Sequence, residues 1–173
     1  MLGTELHKAG GQVVKIKYSR MRVGQESEVV ALIHAMTKEY GNNFITQITT
    51  EIFKQNYTTF LHIEVATLDN TVIGLCMWTF TFSVWRGLKG MYVADNFIAA
   101  PHWSIESSRK LLAFAASNAA AEGCAFVRME VDLTEEHVLR SLAPLGFTSY
   151  PHQSPYYLET KHFTNLIDEY AYD

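Results

Sequence analysis

The sequence predicts an α/β domain: one mixed central β-sheet with helices on both faces. Three observations predict it. The 173 residues are 48% hydrophobic and 18% charged, which suits a single domain around one core. Two β-rich runs, 60–67 and 71–82, flank the turn dipeptide Asp69-Asn70 and read as an antiparallel hairpin. Farther on, a strand pattern at 91–99, a long alanine-rich helical pattern at 103–122 and a strand pattern at 125–131 read as a strand–helix–strand crossover. Residues 1–12 read as a loose lead-in, 13–159 as the folded domain and 160–173 as a tail with a short amphipathic helix.

The elements follow in order. Residues 13–18 (VVKIKY) mix β-branched and basic residues, as a first strand does. Glu26 and Glu28 then open a helix whose stripe is Val29, Leu32, Ile33, Met36 and Tyr40, closed by Gly41-Asn42. A weaker helix is expected at 47–57 around Ile48, Ile52 and Phe53. The hairpin comes next, then a loop over 83–90 and the 91–99 strand, which Pro101 stops. In the long helix Leu111, Leu112, Phe114 and Ala115 face inward, and Gly123 ends it. A short helix at 134–142 has Thr134 as N-cap, and a last strand reaches about residue 158. The predicted order is β-α-α-β-β-β-α-β-α-β.

Composition excludes several classes. Fourteen basic against 18 acidic residues give a net charge of −4, the wrong sign for a general phosphate-backbone binder, so no nucleic-acid partner is expected. No apolar run approaches the ~20 residues that cross a bilayer, and Met1–Gln12 lacks the apolar stretch of a secretory leader. A cytoplasmic protein with no membrane partner is expected. Cys76 and Cys124 read as buried apolar thiols. The seven histidines show no metal-ligand spacing, so no metal site is expected. His34 reads as a packing or surface residue, whereas His102 precedes the long helix. No G-x-S-x-G elbow and no P-loop occurs.

Several strings carry a family resemblance: Val72-Ile73-Gly74, Trp78-Thr79-Phe80-Thr81-Phe82, Trp85, Gly87, Met91-Tyr92-Val93, Pro101, Gly123-Cys124 and Leu145-Gly146-Phe147. In order and spacing they resemble the GNAT superfamily of acetyl-CoA-dependent N-acetyltransferases. Within it the stretch GLCMWTFTFSVWRGLKGMYVADNFI is most similar to the spermidine/spermine (diamine) acetyltransferase branch. The resemblance covers about residues 15–158. It implies a GNAT fold, acetyl-CoA as acyl donor and an amine as acceptor.

The resemblance also implies three functional positions, and this chain departs at each. The family's glycine-rich turn at the start of the long helix cradles the coenzyme A pyrophosphate on backbone N–H groups. Here that segment is Pro101–Lys110, and no glycine occurs between Gly90 and Gly123. Ser104, Ser107, Ser108, Arg109 and Lys110 are the remaining candidates to touch a phosphate, with Phe97 and Ile98 on the preceding strand. Glu106 would compete for the same helix end. Losing two charge-assisted hydrogen bonds weakens binding by roughly 10²–10⁴-fold, so weak or absent acetyl-CoA binding is expected. The branch's catalytic glutamate falls at Ala94; Asp95 is the neighbouring carboxylate and the candidate base. The family's acidic tyrosine falls at Leu142; Tyr156 and Tyr157 on the last strand are the substitutes.

Two functions therefore stand open. In the first, the GNAT-like domain has a degenerate active site and is kept for binding or assembly, its partner a protein. In the second it is an active acetyl-CoA-dependent N-acetyltransferase acting on a small primary amine, polyamine-like or amino-acid-like. The aromatics Trp85, Trp103, Tyr156 and Tyr157 suit the first as anchors. The acidic Glu26, Glu28, Glu39 and Glu51 suit a cationic acceptor in the second, and equally suit helix starts. Glu130 and Asp132 flank the crossover strand's end, where ligands of open α/β sheets bind. A homodimer or a place in a larger assembly is expected by analogy with the family.

Overall fold

The computed structural model describes residues 5–9, 12–39, 41, 46–132 and 136–148. The larger of its two compact units, Met1–Glu136, holds a six-stranded sheet in sequential order. The strands are β1 (Glu5–Ala9), β2 (Gln12–Arg20), β3 (His62–Leu68), β4 (Thr71–Ser83), β5 (Leu88–Ile98) and β6 (Val127–Met129). Neighbours run antiparallel from β1 to β5, and β6 joins β5 in parallel. The crossover between them is α3 (Ile105–Ala121), preceded by a 3-10 turn at Ala100–His102.

Residues 5–9 correct the loose lead-in: they pair with β2, Ala9 opposite Gln12. Strand pairing uses backbone groups and needs no apolar alternation. The intervening Gly10-Gly11 is the sequence signal that marks such a hairpin.

Helices α1 (Glu26–Glu39) and α2 (Thr50–Phe60) cover one face of the sheet. Val29, Leu32, Ile33, Met36 and Phe53 pack there with Ile63, Val65, Leu75, Met77 and Phe97. α3 covers the other face through Leu111, Leu112, Ala115 and Ala119. Turn geometry fixes the joints. Asp69 and Asn70 take φ of 47° and 66° between β3 and β4, a hairpin conformation that Asp and Asn tolerate. Gly74 lies where β4 and β5 approach closely: a Cβ there would sit 2.9 Å from the Phe97 carbonyl oxygen.

The layer beneath α3 is not wholly apolar. Glu64 is fully buried, and Arg20 Nε lies 3.5 Å from its Oε1, an ion pair without a hydrogen bond. Arg20 also donates to Glu122 at 2.7 Å. Cys76 is buried beside Glu64's strand position, and burial pushes its thiol pKa far up; Cys124, expected to be buried, is only half so.

The second unit, His137–Asp173, carries most of α4 (Glu136–Leu142) and a 3-10 turn at Ala143–Leu145. Gly146, at φ 84°, follows the turn. The expected last strand and the tail lie outside the described residues. No described helix is long and apolar enough to cross a membrane.

Candidate functional site

The site begins with a parallel pairing that stops early. β6 matches β5 only at Met91–Val127, Tyr92–Arg128 and Val93–Met129. β5 continues through Ile98, so among the described residues its 94–98 stretch has β4 on one side and no strand on the other. A strand directs its N–H and C=O groups alternately to both sides. Half of the backbone groups of 94–98 therefore face an open edge.

A bulge lies at the start of that edge. Val93 pairs with Trp78 and Asp95 with Met77, which leaves Ala94 unpaired. The extra residue breaks the two-residue alternation. Tyr92, opposite Thr79, and Asp95, opposite Met77, consequently share the α1/α2 face, although they are three apart. Asn96 turns to the α3 face, where its Nδ2 donates to Ser108 Oγ at 3.0 Å and to the Ser108 carbonyl at 3.3 Å. Asn96 Oδ1 is buried without a hydrogen-bond partner.

Asp95 is the electrostatic centre. Burial pushes its pKa up to about 6, and among the described residues no hydrogen bond or cation offsets it. Tyr92 lies beside it; burial first, then the Glu130 carboxylate that its hydroxyl donates to, push the phenol above its ordinary value. The end of β6 thus brings Glu130 to the α1/α2 side of the opening. The sequence singles out Asp95 and Glu130 separately, and Tyr92 only as part of the Met91-Tyr92-Val93 string. What unites the three is the parallel register plus the bulge. No local sequence signal carries either.

The other candidates are placed as follows. Phe97 and Ile98 have buried side chains, Phe97 in the α1/α2 core and Ile98 against Gly74, so they offer backbone rather than side-chain contacts. Ser104 is the N-cap of α3: its Oγ accepts from the Ser107 N–H at 2.9 Å, and Ser107 Oγ accepts from the Ser104 N–H at 2.9 Å. Ser107 is fully buried and its hydroxyl also contacts the His102 carbonyl at 3.3 Å. Ser108 is bonded to Asn96, Arg109 is half-buried, and Lys110 pairs with Glu106 at 2.6 Å. Ala94 is the bulged residue, with no proton to exchange. Leu142 is buried within the second unit. Tyr156 and Tyr157 lie outside the described residues.

Two of the acidic helix residues have structural partners. Glu26 accepts from the Gly24 N–H at 2.8 Å and the Tyr57 hydroxyl at 3.2 Å. Glu28 accepts from the Val72 N–H at 3.2 Å. His34 contacts the Ile48 carbonyl at 3.0 Å. Among the described residues no group of His, Cys, Asp and Glu could hold a metal ion.

Coenzyme A itself fits half of this site. The open edge of 94–98 suits an amide-bearing arm. The α3 N-terminus suits a pyrophosphate poorly: the serine pair takes the Ser104 and Ser107 amide hydrogens, and a Glu106 carboxylate stands in the first turn.

No protein-family model matches the sequence, and neither does any curated protein. Solved structures do match. An integron cassette protein from the mobile metagenome of V. cholerae superposes with a TM-score of 0.71 at 14% identity, over 88% of this chain and 97% of that one. An aminoglycoside acetyltransferase from an uncultured soil metagenomic sample gives 0.70 at 15% identity, over 83% and 95%. The ribosomal-protein-alanine N-acetyltransferase of Brucella melitensis biovar Abortus 2308 gives 0.67 at 10% identity, over 83% and 98%. The chain has the α/β GNAT fold of these acetyltransferases.

Proposed function

We propose that the chain is an N-acyltransferase that moves an acetyl group from a thioester to a primary amine, with Asp95 as the base. The observation that carries this reading is the Asp95 carboxyl: burial holds its pKa at about 6, it lies at the bulge, and it stands beside the open edge of β5. Carboxyls with pKa values raised by burial cluster at functional sites. Burial also brings the pKa close to neutrality, where a general base works best.

In this reading Asp95 and Glu130 attract the cationic acceptor, and Asp95 takes one proton from its ammonium. The neutral amine then attacks the thioester carbonyl. Tyr92 donates to Glu130 and so fixes that carboxylate at the opening. The small amine is the partner; a homodimer remains a proposal from the family analogy.

The test is direct. The protein is incubated with acetyl-CoA, S-acetyl-pantetheine and a panel of primary amines, while thiol release and amide mass are followed. Turnover should rise through about pH 6 as Asp95 ionises. Absence of amide with every donor overturns the reading. It then favours the second one, a scaffold kept for protein binding, for which the self-capped α3 and the exposed hairpin residue Trp85 speak.

A further inference from the structure

We infer that the acyl donor this site accepts is a thioester on a pantetheine arm without the adenosine diphosphate end, either free or carried by an acyl-carrier protein. The inference rests on the acyl-transfer reading above and concerns only which donor serves it.

The two halves of the donor site differ. Among the described residues no strand covers the edge of 94–98, and it includes Asn96, whose Oδ1 is buried with no described hydrogen-bond partner. A pantetheine arm is uncharged along its length, where it carries two amides and a hydroxyl, and on a carrier protein it ends in a single phosphodiester in place of the multiply charged nucleotide. It can add to a strand edge as an extended segment does, backbone to backbone.

The phosphate half is closed from within. A helix N-terminus binds phosphate through free amide N–H groups. In α3 the Ser104 and Ser107 amides are taken by the reciprocal serine pair, which removes two of the N–H groups that a phosphate at this helix start would use. Ser107 lies fully buried, its hydroxyl engaged with Ser104 and the His102 carbonyl, so it does not present that hydroxyl to a phosphate. Glu106 adds negative charge to the first turn and engages Lys110. Asp95 and Glu130 add further negative charge along the opening. A polyanionic nucleotide meets all of this; an uncharged arm meets none of it.

With either donor the chemistry balances. The amine nitrogen bonds to the thioester carbonyl and the C–S bond breaks. One ammonium proton goes to Asp95. The proton that nitrogen sheds as the adduct collapses ends on the departing thiolate.

The test is calorimetric titration of the intact protein with pantetheine, 4′-phosphopantetheine, coenzyme A and adenosine 3′,5′-diphosphate, alongside turnover with S-acetyl-pantetheine and with an acetyl-loaded carrier protein. Pantetheine and coenzyme A should bind within about threefold of each other, and the adenosine diphosphate should not compete. Ser104→Gly keeps a tolerated N-cap and frees the Ser107 amide. It should tighten coenzyme A by about tenfold and leave pantetheine unchanged. Faster turnover with the loaded carrier assigns the arm to a carrier protein; faster turnover with S-acetyl-pantetheine assigns it to the free form. Coenzyme A binding about 100-fold tighter than pantetheine, or displacement by adenosine 3′,5′-diphosphate, overturns the inference while leaving acyl transfer intact. If no thiol probe binds and no donor turns over, the acyl-transfer reading falls as well.

Discussion

Asp95→Asn separates catalysis from structure because the two roles predict opposite signs of stability change. Folding lifts the Asp95 pKa from 3.8 to about 6 by burial. Below pH 4 the carboxyl is neutral in both folded and unfolded chains, and the site carries no penalty. As pH rises through 6, the folded protein must hold a partly buried charge that the unfolded chain solvates freely. Wild type therefore loses stability between about pH 4 and 6. Lifting the pKa from 3.8 to about 6 corresponds to at most about 3 kcal/mol. Asparagine keeps the shape and cannot ionise, although its amide still has to be desolvated. The variant should be more stable than wild type by about 1–3 kcal/mol at pH 8 and by little at pH 4. For a chain of this length that is a rise in Tm of several degrees. Acyl transfer should fall by about 10²-fold or more in the same variant. The assays are thermal unfolding at pH 4, 5, 6 and 8 and initial rates at pH 8. A variant that melts lower at pH 8, or whose stability difference is flat from pH 4 to 8, would refute the argument and make Asp95 a structural residue.

Three further outcomes are expected. Gly74→Ala sets a Cβ against the Phe97 carbonyl oxygen and Ile98 Cγ1; because backbone must move, it should destabilise by about 1–3 kcal/mol in chemical denaturation. Ser107→Ala removes a fully buried hydroxyl that partners the Ser104 N–H, and should lower stability by about 1–3 kcal/mol with the loss showing as faster amide exchange in the first turn of α3. Arg20→Ala leaves Glu64 buried without its cation. It should cost about 2 kcal/mol, short of a fully buried pair because Arg20 is half exposed, and adding Glu64→Gln should recover most of the loss; a double variant no more stable than the single one defeats that account.

Much of the fold was legible in the sequence. The Val29–Met36 stripe, the alanine-rich run before Gly123 and the β-branched run around Asp69-Asn70 each repeat with the period of one element, and each element formed. Local periodicity suffices there because the same face of each element meets the core. The first strand was missed since 5–9 is held by backbone pairing, which leaves no apolar pattern. Absence of glycine between Gly90 and Gly123 was also readable.

What the sequence could not contain was register. Alternation in 60–67 puts Glu64 on the polar side of its strand, yet α3 covers that side and buries it with Arg20. Ser107 reads as a surface residue of a first helical turn, and the reciprocal cap draws it inside. The site depends on this most. Strict alternation would send Asp95 and Tyr92 to opposite faces; the unpaired Ala94 brings them to one. A bulge arises from how two strands, nearly twenty residues apart in the chain, settle against each other under the packing of both faces. That balance belongs to the assembled sheet, so only the tertiary structure decided where the carboxylate points.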